Sequence, residues 1–326
     1  MRDTLGHYRI LDRIGAGGIG ELYRARDTKH GRTVALRIVR PDVLADPDRR
    51  ARLLHNAKAS GALSHPNIAA LYETGEDQGQ LFLACEYVPG QTLRAAIGGR
   101  PLNARQAIAF AAQIADALAD AHAAGVFHSD VKPDNVMVTP KGNTKLLDMG
   151  LSVWTAGGAA RARAGRETTA AAMQDQVVGR TAPYISPEQA LGEEVDHRTD
   201  IFSLGAVLFE MLTGREPFRA STAAELTQEI VYGPLAAPSS LVKSLPAAID
   251  PIVERMLAKR PTDRYESAAT VAAELRSVLA ILDRRDAASD APIVIRGASE
   301  RSSAGWLVVV AILAAVAALV WFASRG

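Results

Sequence analysis

His128-Ser129-Asp130-Val131-Lys132-Pro133-Asp134-Asn135-Val136-Met137-Val138 is followed, ten residues beyond its last member, by Asp148-Met149-Gly150. Acids, an amide and a lysine at this spacing supply the parts for phosphoryl transfer. Asp130 can orient a hydroxyl nucleophile, Asn135 and Asp148 can hold Mg2+ through hard oxygen atoms, and Lys132 can steady the moving phosphoryl group. Val136-Met137-Val138 and Lys145-Leu146-Leu147 are largely apolar runs on either side of the turn signal Thr139-Pro140-Lys141-Gly142-Asn143. They read as a hairpin that brings Asn135 and Asp148 side by side.

Upstream, Tyr8 to Val39 alternates apolar and polar residues around Gly15-Ala16-Gly17-Gly18-Ile19-Gly20. Glycines at these positions let the backbone pass close over phosphates with its N–H groups free to donate. Gly-x-Gly-x-x-Gly also opens dinucleotide folds, but there a helix follows directly, with an acid about 20 residues on. Here Glu21-Leu22-Tyr23-Arg24-Ala25 continues as a strand; a plain hairpin turn is the competing reading. Downstream come Gly179-Arg180-Thr181-Ala182-Pro183-Tyr184-Ile185-Ser186-Pro187-Glu188, then Asp196 to Gly205, then Lys259-Arg260-Pro261-Thr262-Asp263-Arg264-Tyr265.

With these motifs in order, the chain resembles the bacterial eukaryotic-like (Hanks-type) Ser/Thr protein kinase family from about Tyr8 to about Leu282. The resemblance implies an α+β, bilobal protein-kinase-like fold, with a small antiparallel-sheet N-lobe over about 8–88 and a helical C-lobe over about 89–282. It implies ATP and Mg2+ as cofactors and protein Ser/Thr hydroxyls as substrates. Asp130, Lys132 and Asn135 become the catalytic residues, and Asn135 and Asp148 the metal ligands. Gly15, Gly17, Gly20, Leu22, Ala35, Arg37, Glu86, Val88 and Met137 become the ATP-binding set, with Leu22 and Ala35 roofing adenine and the Glu86 carbonyl and Val88 amide facing it. Thr181 falls beside the substrate hydroxyl. Cys85 takes the gatekeeper place and reads as a small buried hydrophobe. Asp200 is expected to hold the backbone of the catalytic loop, Glu188 to pair with Arg264, and His128 to be a structural histidine beneath the loop.

The family pattern is broken in places. Strand three normally carries a lysine that reaches the α and β phosphates and pairs with a glutamate on the next helix. Here the strand carries Arg37, and the helix, about Pro47 to Leu63, places Asn56 at the glutamate's position. A planar guanidinium replaces a compact ammonium, and the opposite charge that would meet it is absent. Ser129 stands where many kinases have an arginine that pairs with phosphate on the activation segment, and Arg180 stands at a usual glycine. The segment from Asp148 to Glu188 is long for the family, and its middle, 156–172, is expected to be mobile. Thr155, Thr168 and Thr169 are candidate phosphorylation sites or ordinary loop threonines.

Asn103 to Ala124 is the clearest soluble helix, capped by Asn103 and stopped by Gly125, with an apolar face at Ile108, Ala111, Ile114, Ala115 and Leu118. The chain has 326 residues, 48% of them apolar, enough for two lobes plus extras. A formal net charge of +1 with interspersed signs gives no case for nucleic acid. The single cysteine, Cys85, forbids an intrachain disulfide, and the N-terminus lacks the apolar core of a signal peptide.

Residues 306–323, from Trp306 to Ala323, form an apolar run of 18 residues. As a helix it is about 27 Å long against a hydrocarbon core of roughly 30 Å. Trp306, Trp321 and Phe322 suit the interfaces, and Arg296 and Arg301 put positive charge before the run. A buried core helix is the competing reading. The expected picture is a polar juxtamembrane linker over 283–305, then a C-terminal transmembrane helix acting as a single-pass tail anchor. The kinase domain would lie on the cytoplasmic side of the cell inner membrane, with almost nothing beyond it. A homodimer stays open as a partner. Three functions compete: a membrane-anchored Ser/Thr protein kinase, a nucleotide-binding pseudokinase scaffold with weak or no transfer, and a small-molecule phosphotransferase that shares only the N-terminal lobe.

Overall fold

The computed structural model describes residues 3–17, 19–151 and 182–289. The chain divides into two compact units, Met1–Leu282 and Asp283–Gly326. In the first unit, strands β1 (Thr4–Leu5), β2 (Tyr8–Ala16), β3 (Gly20–Asp27), β4 (Arg32–Val39), β5 (Leu71–Asp77) and β6 (Gln80–Glu86) form an antiparallel sheet in the order β1-β2-β3-β4-β6-β5. Successive side chains of a strand point to opposite faces, and β4 shows the consequence. Val34 and Leu36 enter a cluster with Leu5, Tyr8, Ala25, Phe82 and Ala84 on one face. Ala35, Arg37 and Val39 occupy the other face, where Val39 and Leu83 meet Leu53 and Ala57 of a helix.

That helix, α2 (Pro47–Gly61), follows the single turn α1 (Pro41–Leu44). Asp46 caps it by accepting from the amides of Asp48 and Arg49, and Pro47 at the first position has no N–H to leave unpaired. Only Leu53, Ala57 and Ser60 are buried along it. A stripe this narrow attaches the helix by a single seam.

The helical lobe is built differently. After β7 (Gln91–Thr92) and α3 (Leu93–Ile97), α4 (Ala104–Ala123) begins at Asn103, whose side chain accepts from the Arg105 and Gln106 amides. It buries Ile108, Ala111, Ile114, Ala115 and Leu118, the face read from the sequence. Strands β8 (Val136–Val138) and β9 (Thr144–Leu146) pair antiparallel with Val136 opposite Leu146. The second strand starts one residue earlier than the apolar pattern suggests, because Thr144 pairs with Val138 and donates its amide to Gln113 Oε1 at 2.8 Å.

After α5 (Pro187–Leu191), α6 (Arg198–Thr213) runs through the centre of the lobe with every residue from Thr199 to Thr213 buried. It is surrounded by α4, α7 (Ala223–Tyr232), α8 (Pro238–Leu241), α9 (Asp250–Met256) and the first turns of α10 (Ala268–Ser289). A helix apolar on all sides must be enclosed, and α6 is the post on which this lobe is assembled. Glu188 and Arg264 meet as expected, in a bidentate pair at 2.7 Å for both contacts with Thr199 donating to the same carboxylate at 2.6 Å. Burial opposes the Glu188 charge, but the Arg264 bonds outweigh it and hold its carboxyl below the usual range. Among the described residues no helix is long and apolar enough to cross a membrane. The expected span over 306–323 lies outside them, as do Thr155, Thr168, Thr169, Arg180 and Thr181.

Candidate active site

The catalytic loop hangs from α6. Asp200 is fully buried and accepts from the amides of His128 at 2.8 Å and Ser129 at 2.7 Å, and from His122 Nε2 at 2.8 Å. Burial alone would raise its pKa; the His122 and loop-amide bonds outweigh that and hold it low. Ser129 takes a left-handed φ of 59°, a costly conformation for a residue with a Cβ. The surroundings hold it from both sides, since Gln189 Nε2 donates to its carbonyl at 2.9 Å while Asp200 grips its amide. His128 is structural as expected. Its Nε2 contacts the Leu147 carbonyl at 2.8 Å, and its Nδ1 accepts from the Asp130 amide at 3.2 Å, which assigns the proton to Nε2.

This scaffold presents the three predicted catalytic residues to one another. Lys132 Nζ lies 2.9 and 2.7 Å from the two Asp130 carboxylate oxygens. Asn135 Nδ2 donates to the Asp130 carbonyl at 2.8 Å and to its Oδ2 at 2.9 Å. That fixes the amide so that its remaining polar atom is a hard carbonyl oxygen. Burial pushes the Asp130 carboxyl up, and the Lys132 ammonium works against that shift. The Leu147 amide donates to the Asn135 carbonyl at 2.8 Å, so the hairpin does bring Asn135 beside the residue preceding Asp148.

On the sheet side, cross-strand register puts Leu22 opposite Arg37 and Ala35 opposite Cys85, so these residues share the inner face. The glycine loop closes on itself through Gly17 N to Gly20 O at 2.9 Å and Gly20 N to Gly17 O at 3.2 Å. Arg37 lies directly against it: a Cβ at Gly17 would sit 3.3 Å from Arg37 Nη1. The other end of the guanidinium reaches Asp148, Nη2 to Oδ2, at 2.5 Å, and Arg37 is only 7% exposed. Its Nε is buried without a hydrogen-bond partner.

Asp148 itself has a left-handed φ of 54°. The next residues are pinned to α2, because Ser60 Oγ donates to the Met149 carbonyl at 2.7 Å. Gly150 has φ +68°, and a Cβ there would meet Ser60 Oγ at 2.6 Å, so the position requires glycine. Asn56 lines a small cavity with His55, Ala59, Val126, Phe127 and Gly150. Cys85 is partly buried, and burial and then the nearby Asp148 charge push its thiol up to about 12.

Several connections were invisible in the sequence. Glu86 was assigned by its backbone, yet its carboxylate takes Lys145 Nζ at 2.7 Å and the Ala70 amide at 3.2 Å, fastening the hinge to β9. Arg94 donates to Asp134 Oδ2 at 3.1 and 3.0 Å and to Glu210 Oε1 at 2.9 Å, while the Tyr184 hydroxyl donates to Glu210 Oε2 at 2.5 Å. This links the catalytic loop to the segment ending at Tyr184. Neither Arg94 nor Gln189 carries a local pattern that would have revealed it. Val88 is buried at the hinge, and Met137 lies on β8 opposite Lys145 and Thr92. Thr181, the expected docking residue, lies outside the described residues.

One other group of side chains is close enough to hold a cation among the described residues: His7, Asp27 and His30. Asp27 Oδ1 accepts from the amides of Lys29 and His30, and Oδ2 from His30 Nδ1 and Arg32 Nε. With all its acceptor positions engaged, Asp27 closes the β3–β4 turn. Burial opposes its charge, but these donors hold its pKa down to about 2.

Residues 8–275 match the protein kinase domain family, and the chain belongs to it, within the bacterial Hanks-type Ser/Thr kinases. It is 37% identical over 279 residues to a probable serine/threonine-protein kinase of Streptomyces coelicolor, covering 84% of this chain and 40% of that one. It is also 37% identical to the serine/threonine-protein kinase PknB of Mycobacterium leprae, with 82% and 42% covered, and to the serine/threonine-protein kinase pkn3 of Myxococcus xanthus, with 83% and 50% covered. The chain thus spans half or less of the length of these curated relatives. The crystal structure of the Mycobacterium tuberculosis PknI kinase domain superposes with a TM-score of 0.65 at 25% identity, covering 84% of this chain and 97% of that one.

Proposed function

We propose that this chain is a membrane-anchored Ser/Thr protein kinase that transfers the γ-phosphate of ATP to protein Ser/Thr hydroxyls. The observation that carries the reading is the contact set among Asp130, Lys132 and Asn135. Asp130 accepts the hydroxyl proton and aims the oxygen, while Lys132, already on the same carboxylate, opposes the rise that burial gives its pKa and neutralises charge on the moving phosphoryl group. Asn135 and Asp148 provide hard oxygens that suit Mg2+, which when bound neutralises charge at the phosphates. Arg37, beneath the glycine loop, supplies the cation at the phosphates where the family has lysine.

A second reading, a nucleotide-binding pseudokinase scaffold, is favoured by the bond from Arg37 to Asp148 and by an amide, Asn56, in place of the glutamate. The two readings part in one assay. The full chain in mild detergent, given Mg2+ and labelled ATP, is expected to label itself or a generic protein substrate, and Asp130→Asn to abolish it. ATP binding with no labelling would establish the scaffold instead. The membrane part of the proposal rests on the apolar run 306–323 and the basic residues before it. Deletion of 306–326 is expected to move the protein to the soluble fraction, and continued membrane association would refute the anchor.

A further inference from the structure

We propose that Arg37 and Asp148 form a latch across the nucleotide cleft that the divalent cation must open. The proposal rests on the kinase reading of the site and concerns how its cation and nucleotide are coupled. The same carboxylate is asked to do two things. Asp148 is a metal ligand by its position after the hairpin, and among the described residues it is also the one salt-bridge partner of Arg37. A glutamate at position 56 would give the strand-four cation a carboxylate of its own; Asn56 offers an uncharged amide, so the guanidinium takes the carboxylate of Asp148.

Geometry makes the arrangement two-sided. Arg37 is 7% exposed, its Nη1 faces Gly17 of the phosphate loop, its Nη2 holds Asp148 at 2.5 Å, and its Nε has no acceptor. A buried unpaired donor is costly, and a phosphate oxygen between the loop and Arg37 would satisfy it with the guanidinium's planar fork. When a cation takes Asp148, Arg37 loses its acid and turns to phosphate; when phosphate takes Arg37, Asp148 is freed for the cation. Each ligand removes the other's obstacle. Cation alone and nucleotide alone therefore bind weakly, and together they bind with positive coupling, which is reciprocal by thermodynamic necessity. Ser60 Oγ, donating to the Met149 carbonyl at 2.7 Å, holds the backbone after Asp148, so the latch turns on two side chains.

The test reads binding. Mn2+ affinity of the full chain in mild detergent is measured by electron paramagnetic resonance, with and without a non-hydrolysable ATP analogue carrying an imido bridge. Melting curves screen each variant for folding. Arg37→Gln is expected to tighten Mn2+ in the absence of nucleotide by about tenfold, a typical coupling. Asn56→Glu is expected to tighten it as well, by drawing Arg37 away.

Direct attraction of the cation by a new carboxylate is the competing explanation, and the decisive comparison is the double variant Arg37→Gln with Asn56→Glu. Its Mn2+ affinity is expected to equal that of Arg37→Gln alone, because Glu at 56 acts only through Arg37. Tightening by Asn56→Glu of the same size in both backgrounds would overturn the latch, as would unchanged Mn2+ affinity in Arg37→Gln. If phosphoryl transfer is found while Mn2+ affinity ignores both substitutions, the latch is wrong and the kinase reading stands. If no variant binds Mn2+ even with the nucleotide analogue, both are overturned.

Discussion

The catalytic loop and the phosphate clamp belong to one site but are held by very different means. The loop is fixed from several directions at once: Asp200 on the His128 and Ser129 amides, Gln189 on the Ser129 carbonyl, His128 on Leu147, and Asn135 on Asp130. Behind it stands α6, buried along its whole length after the first residue. The clamp is held by the bond from Arg37 to Asp148 and the bond from Ser60 to Met149, on a helix that buries Leu53, Ala57 and Ser60. The loop is therefore held redundantly, whereas each bond of the clamp stands alone. Ser129 keeps its left-handed backbone because its amide and its carbonyl are both tied.

The largest effect is expected on the loop itself. Asp130→Asn is expected to lower the single-turnover rate by about 10²–10⁴-fold while leaving nucleotide affinity near the parent value, as fluorescence titration would read. An equal loss in both would mean that Asp130 acts in binding and the division of labour is wrong. Next in size is the support of the helical lobe. Arg264→Met strands the buried Glu188 carboxylate, and denaturant titration should show a loss of about 3–5 kcal/mol. On the clamp side, Ser60→Ala removes one hydrogen bond and is expected to cost only about 1 kcal/mol of stability, with a larger proportional effect on nucleotide affinity than on melting.

Acid separates the two regions in a different way. Asp130 is raised by burial and must be ionised to accept a proton, so turnover is expected to fall as pH drops through a value above the ordinary carboxylate range, about 3.9. Asp200, Glu188 and Asp27 are lowered by their partners, Asp27 to about 2. Their contribution to stability is present above the ordinary carboxylate pKa and is lost only as pH falls through their lowered values. A pH series should therefore show activity failing before the far-ultraviolet circular dichroism changes. Simultaneous loss would mean that Asp130 is not the titrating group.

Much of the secondary structure was legible in the sequence because its signals are local. Asn103 and Gly125 bound α4, the alternation about the glycine loop marks the first strands, and the apolar runs on either side of Thr139 to Asn143 mark the hairpin. The Glu188 pair with Arg264 and the Asp200 grip on the loop were legible only through the family resemblance, since their partners are tens of residues away. The rest was not readable for the same physical reason. The acid that takes Arg37 lies 111 residues on, and Lys145, Arg94 and Gln189 find their partners through tertiary folding with no periodic pattern to announce it. The resemblance marked Arg37 and Asn56 as positions where the family pattern would be broken. What they do to each other's neighbours was not legible.

If Asp130, Lys132 and Asn135 are competent for transfer, the clamp of Arg37 and Asp148 sets the rate. The most direct measurement is the single-turnover rate of phosphoryl transfer at saturating ATP and Mg2+ for the parent chain and for Arg37→Lys with Asn56→Glu, which restores a lysine and gives it an acid. The double variant is expected to be faster by about tenfold, the change that about 1.4 kcal/mol off the barrier gives, with Asp130→Asn in that background returning the rate to baseline. A double variant no faster than the parent, with both proteins fully bound to nucleotide, would contradict it.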